Sequence, residues 1–117
     1  MVATLTLFAW EIYVELFATR TGHFYITLYH LDKIAHLLGG ALVIALLFSL
    51  TKMRTLAVVL ATVILVSLVW ELWEVLYDPK TIYLFSKSRL VWARDTSGDI
   101  IFGIVGALVY YFSTRDV

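Results

Sequence analysis

The sequence predicts an all-α, polytopic membrane domain built as a four-helix bundle. Three observations predict it. Of 117 residues, 62% are hydrophobic and only one is proline, and mean hydropathy is +0.89, far above the composition of a soluble domain. The apolar residues gather into four runs. Those runs lack the charged outer face that a soluble amphipathic helix presents. A chain of this length is expected to be one domain, 1–117.

The first run extends from about Ala3 to Thr19 and carries Glu11 and Glu15. It is short for a span, and an amphipathic helix lying in the interface is the alternative. The second run, about Leu31 to Leu50, the third, about Thr55 to Tyr77, and the fourth, about Thr96 to Ser113, approach the roughly 20 helical residues that cross a hydrocarbon core. Thr51–Arg54 is a short basic turn, so the second and third runs are expected to be antiparallel neighbours. Asp78–Pro79 ends the third, because proline disfavours helical backbone in the residue before it. Lys80–Arg94 reads as a longer loop, folded over the polar groups as a lid or lying on lipid headgroups. Arg20–His30 is the second loop on that side.

Basic residues weigh slightly toward the side with the two long loops, which carries Arg20, Lys80, Lys87 and Arg89 against Lys52, Arg54 and Arg115 opposite. The positive-inside rule then places that side in the cytoplasm. The N-terminus lacks the features of a cleaved signal peptide, so the first run is expected to be kept. There is no cysteine, which excludes disulfides and thiolate chemistry. Formal net charge is zero, and no basic stripe points to nucleic acid.

Two halves of the chain read alike. Trp10-Glu11 through Phe17 parallels Trp70-Glu71 through Tyr77. Asp32-x-x-x-His36-x-x-x-Gly40 parallels Asp95-x-x-x-Asp99-x-x-x-Gly103. This pattern suggests a two-helix repeat of parallel orientation, related by an axis along the membrane normal. Chance matching in a chain rich in Trp and Leu is the alternative.

Six ionisable groups fall at one end of the hydrophobic runs: Asp32 and His36, Glu71 and Glu74, Asp95 and Asp99. Charged groups within a span cost about 2.5–3.5 kcal/mol each on insertion scales and usually face a bundle interior. Residues four apart share a helix face, so Asp32, His36 and Gly40 form one stripe and Asp95, Asp99 and Gly103 another. The glycines allow close helix approach. Asp32 near a helix start and Asp95 as an N-cap is the alternative reading of those two. Crowded carboxylates repel unless a cation or shared protons relieve them. Asp32, His36, Asp95 and Asp99 are the candidate ligands of a divalent metal, Mg²⁺, Mn²⁺, Zn²⁺ or Fe²⁺. Glu71 and Glu74 are the candidate catalytic bases. Lys33 and Arg94 are candidate contacts to a substrate anion, with snorkelling to headgroups as the alternative. His23 and His30 read as solvent or interface residues, and Trp70 and Trp73 as an interfacial belt or walls of the site.

The sequence Asp32-Lys33-x-x-His36 with Gly39-Gly40, Glu71-x-x-Glu74 near a helix end, and Asp95-x-x-x-Asp99-x-x-x-Gly103-x-x-Gly106 resembles the VanZ-like membrane proteins, and more closely the related YjdF-like family. The resemblance covers about Leu31 to Phe112. It implies a small helical protein of a prokaryotic cell membrane, with polar motifs at helix ends and no settled chemistry. Where VanZ-like chains tend to carry Asn before the last glycines, this sequence has Phe102.

Three functions are expected from these residues. The first is a metal-dependent hydrolase or transferase acting on a lipid or lipid-linked substrate. The second is a proton- or cation-coupled transporter or channel. The third is a structural subunit whose polar cluster locks helix register. Membrane lipids and a second copy of the chain are the expected partners.

Overall fold

The computed structural model describes residues 25–115, with side chains from residue 32 onward. The described residues form four α-helices and no strand: α1 (Tyr25–Leu50), α2 (Leu56–Tyr77), α3 (Pro79–Lys87) and α4 (Arg89–Thr114). Three are long and apolar enough to cross a membrane, over Asp32–Leu50, Leu56–Tyr77 and Arg89–Thr114. In the most apolar stretch of α2 only 17% of residues are buried. Leu65, Leu68, Val69 and Leu72 therefore face outward. An apolar surface of that extent belongs against lipid rather than water, so the protein is an all-α membrane bundle.

Local chemistry sets the helix ends. Thr55 caps α2, its hydroxyl accepting from the Val58 amide. Arg54 closes the preceding turn by donating to the Phe48 carbonyl at 2.6 Å and lying over the Phe48 ring. Asp78 ends α2 and also opens α3. Its Oδ2 accepts from the Thr81 amide at 3.0 Å and from the Thr81 hydroxyl at 2.7 Å, with Pro79 in the first helical turn. Proline suits that turn, because its missing N–H would have no intrahelical partner there. Ser88 repeats the device for α4, accepting from the Val91 amide.

Lys33 meets Asp99, Gly40 meets Gly103, and Phe48 meets Tyr110 and Tyr111. These contacts advance together along both helices, so α1 and α4 run in the same direction. Helix α2 runs against them and fills a small core where Ile44, Val59, Val63 and Ala107 are buried. The α1–α4 contact is the most extensive in the fold. It is made by backbone: a Cβ on Gly40 would overlap the Gly103 carbonyl, and one on Gly106 would overlap the Leu37 carbonyl.

Several expectations are corrected. The stretch Lys80–Arg94 is not a loop but α3 followed by the first turn of α4. The second run begins its helix at Tyr25 rather than Leu31, and the fourth at Arg89 rather than Thr96. Asp32 and Asp95 therefore sit inside helices, and neither is a cap. The fourth helix among the described residues is thus α3, while the run Ala3–Thr19, with Glu11 and Glu15, lies outside them. So does the Trp10–Phe17 half of the proposed repeat. Its other half is visible as two same-direction helices whose Asp-x-x-x-(His/Asp)-x-x-x-Gly stripes face each other.

A methyl group at Gly40 or Gly106 has only backbone to displace. Gly40→Ala and Gly106→Ala should each destabilise the detergent-solubilised protein by about 1–3 kcal/mol. Gly98→Ala, whose Cβ would meet only the flexible end of Lys33 at 3.3 Å, should cost less. Midpoints of thermal unfolding for the three variants check the order.

Candidate functional site

The close approach of α1 and α4 brings their polar stripes together at one end of the bundle. Helix α1 supplies Asp32, Lys33 and His36, α2 supplies Glu71 and Glu74, and α4 supplies Asp95 and Asp99. Glu71 and Glu74 are both buried, although Leu72 and Trp73 between them face outward.

Lys33 is the centre of one half of the cluster. It is 5% exposed. Its Nζ donates to Asp95 Oδ1 at 3.0 Å, to the Asp95 carbonyl at 3.1 Å and to Asp99 Oδ1. Asp32 Oδ2 lies 3.8 Å away. Lys33 therefore does not present itself to a substrate anion from the surface. Its ammonium bridges the Asp32, Asp95 and Asp99 carboxylates, where sequence reasoning placed a metal.

His36 and the glutamates form the other half. One potential ligand atom each from His36, Glu71, Glu74 and Asp99 lies within 4.8 Å of all the others. Ligands on opposite sides of an ion bound at about 2.1 Å sit about 4.2 Å apart, so small rotations would complete a coordination sphere. His36 Nε2 is buried and has no hydrogen-bond partner among the described residues. It stands 3.7 Å from Asp32 Oδ1 and 3.6 Å from Asp99 Oδ2, beyond hydrogen-bond distance. A buried imidazole nitrogen aimed at carboxylates without bonding them is arranged as a ligand would be. The candidate set thus regroups. His36 and Asp99 stay together and Glu71 and Glu74 join them, while Asp32, Asp95 and Asp99 form a second group of oxygens within 4.8 Å of one another. Lys33 is bound to Asp95 and Asp99, and Asp32 lies between Lys33 and His36.

Helix α3 packs over the cluster. Asp78, Lys80 and Thr81 meet Asp32, Glu74, Asp95 and Asp99 around a cavity of about 20 Å³. That is room for one water, which needs about 10–15 Å³. The Phe85 and Trp92 rings, edge to face at 5.1 Å, hold α3 to α4. Asp78, Lys80 and Thr81 were not singled out as site residues, because Asp78–Pro79 reads simply as a helix stop. The signal was the Asp-Pro-x-Thr order, an N-cap followed by proline, which announces a second helix.

Arg94 is exposed and makes no ion pair among the described residues, so the structure leaves it outside the cluster. Trp70 and Trp73 stack at 5.2 Å. Trp73 faces outward, whereas Trp70 turns its Nε1 inward. The side chains of His23 and His30 lie outside the described residues. Compared with family models, with curated proteins and with solved structures, the chain matches none.

Removing one member of a buried ion pair leaves the other uncompensated, at a cost of about 3–5 kcal/mol. Lys33→Met should lose stability on that scale. Arg94→Ala should stay within about 0.5 kcal/mol of wild type. Unfolding midpoints in one detergent, measured side by side, check both.

Proposed function

We propose that this chain is a metal-dependent membrane hydrolase or transferase that acts on a lipid or lipid-linked substrate at the headgroup level. One observation carries the reading: the buried, unpartnered His36 Nε2 beside three carboxylates within coordinating reach. In it, His36, Asp99 and Glu71 hold a divalent cation, Mg²⁺, Mn²⁺, Zn²⁺ or Fe²⁺. Glu74 reaches the water-sized cavity under α3 and takes the proton of a nucleophile there, as a positioned carboxylate can. Lys33 fixes Asp99 and, through Asp95, the register of α1 on α4. The cation supplies positive charge to polarise the substrate oxygen.

Charge balance supports the same reading. Five carboxylates, Asp32, Glu71, Glu74, Asp95 and Asp99, crowd this end of the bundle. Among them, Asp32, Asp95 and Asp99 pair with Lys33 and His36. A divalent ion at the His36 side relieves what Lys33 relieves at the other.

The motif order supports membership among VanZ-like and YjdF-like proteins, with a prokaryotic cell membrane as the setting. With Lys33 buried, the basic residues still weigh slightly toward the site end and favour its facing the cytoplasm. Membrane lipids are the partners this reading needs, and a homo-oligomer is compatible with it.

Lys33 bound between Asp95 and Asp99 favours a second reading, an ion-pair lock in a structural subunit. A transport path is less favoured. Away from the cluster, Ser49 and Ser113 donate to carbonyls of their own helices, and no polar file continues through the described residues.

Elemental mass spectrometry of the purified protein separates the first two. A stoichiometric metal should be present, should drop at least about tenfold in occupancy in His36→Ala, as loss of a ligand requires, and should persist in Glu74→Gln. Well-folded wild type without metal after reconstitution would leave the lock.

A further inference from the structure

Two carboxylates at the polar end of the bundle each face two ways. Asp99 turns Oδ1 to the Lys33 ammonium and Oδ2 to His36 Nε2, the latter at 3.6 Å. Asp32 turns Oδ2 to Lys33 at 3.8 Å and Oδ1 to His36 Nε2 at 3.7 Å. Each carboxylate thus reaches from one subsite to a second, as one that bridges the ions of a two-metal centre must.

The subsite around Lys33 is made of oxygen alone. Asp32, Asp95 and Asp99 offer carboxylate atoms within 4.8 Å of one another. The Asp95 carbonyl adds a fourth oxygen, 3.1 Å from Nζ. Such a donor set suits a hard divalent cation. A tethered ammonium sits there instead. It donates to Asp95 Oδ1 at 3.0 Å, to the Asp95 carbonyl and to Asp99 Oδ1. An ammonium has three donors, so these bonds use all of them. Lys80 of α3 lines the water-sized cavity beside the same aspartates, but the ion pairs described for them go to Lys33 and His36.

Acidic residues gather in many proteins without an ion between them. His36 supplies the independent sign of one here. Its side chain is 10% exposed, and its Nε2 has no hydrogen-bond partner among the described residues. That nitrogen aims between Asp32 and Asp99, at the oxygens that Lys33 leaves unbonded.

We propose that the Lys33 ammonium stands where a two-metal carboxylate centre holds its second ion. The chain then binds one divalent cation, at His36, and carries the second positive charge on its own side chain. This deepens the proposed function and rests on it for the ion at His36. In two-metal sites the ions lie about 3.5–4 Å apart and clamp the attacking and leaving oxygens together. Lys33 does not share that work, because its N–H groups are spent and it is 5% exposed. It is a positioning residue, holding Asp99 by one oxygen so that the other faces the His36 side.

The test counts Mn²⁺ bound to the full-length protein in detergent, by elemental mass spectrometry, in wild type, Lys33→Ala and Lys33→Met. Alanine vacates the volume of the ammonium beside the small cavity under α3. Methionine removes the charge but keeps the volume filled. Bound Mn²⁺ should rise from about one per chain in wild type to about two in Lys33→Ala and stay at about one in Lys33→Met, as ligand count and available space require. The two ions in Lys33→Ala should give a spin-coupled paramagnetic resonance spectrum, because Asp32 and Asp99 bridge them. Mn²⁺ should also raise the unfolding midpoint of Lys33→Ala more than that of wild type, since an added site stabilises the fold that binds it. Lys33→Ala/Asp95→Asn, with one charge removed from each side, should fold without Mn²⁺ and gain no second ion.

A count in Lys33→Ala no higher than in wild type would overturn the proposal. So would two ions in wild type, an equal rise in Lys33→Met, or a Lys33→Ala that stays unfolded in Mn²⁺. No ion in wild type with one in Lys33→Ala would remove the enzyme reading and keep Lys33 as the cation of the oxygen set. One ion in both would remove this inference and keep the enzyme reading.

Discussion

Where Gly40 meets the Gly103 carbonyl and Gly106 meets the Leu37 carbonyl, no side chain separates α1 from α4. Everything at the polar end follows from that approach. Two helices running the same way and touching by backbone must bring their equivalent turns to one depth. Asp32 and His36 then stand opposite Asp95 and Asp99, and Lys33 finds two aspartates within hydrogen-bond reach of its ammonium. Bulk at either glycine would push the helices apart one to two turns from where the charges meet.

Those charges make sense only in pairs. The centre of the cluster is screened from solvent: Lys33 is 5% exposed and Asp99 3%. A lone buried charge here would be costly unless paired. The lysine satisfies one side of Asp99, and the imidazole of His36 approaches the other without bonding it. Asp99 thus joins the Lys33 ion pair to the cluster of His36, Glu71 and Glu74. The same helix turns separate a polar compartment, roofed by α3, from an apolar cleft between α1 and α2 beneath, with His36 in both walls.

Much of this was legible from the chain. The three spans, the helix end at Asp78–Pro79, the glycine stripes and the convergence of Asp32, His36, Glu71, Glu74, Asp95 and Asp99 all follow from spacing. Period-four stripes on helices are local facts, and local facts survive into the fold. The role of Lys33 was not legible. It neighbours Asp32 in sequence, and a helix turns about 100° between them. Both point inward only because α1 is embraced on more than one side. Helix α3 was missed because its charged and aromatic residues resemble interfacial loop, although Asp78 and Pro79 carried the starting signal. The regrouping of ligands around Glu71 and Glu74 depends on how α2 rotates against the α1–α4 pair, which no run of α2 sequence encodes. The cleft is the complement of that rotation and left no mark in the pattern.

The central claim is a divalent ion held by His36 with carboxylates of α2 and α4. Its most direct test is pulsed electron paramagnetic resonance of the Mn²⁺-loaded protein, which detects nitrogen bound to the metal. The account requires nuclear modulation from one imidazole nitrogen in the wild type and its disappearance in His36→Gln. A spectrum of solvated Mn²⁺, or one that His36→Gln leaves unchanged, would contradict it.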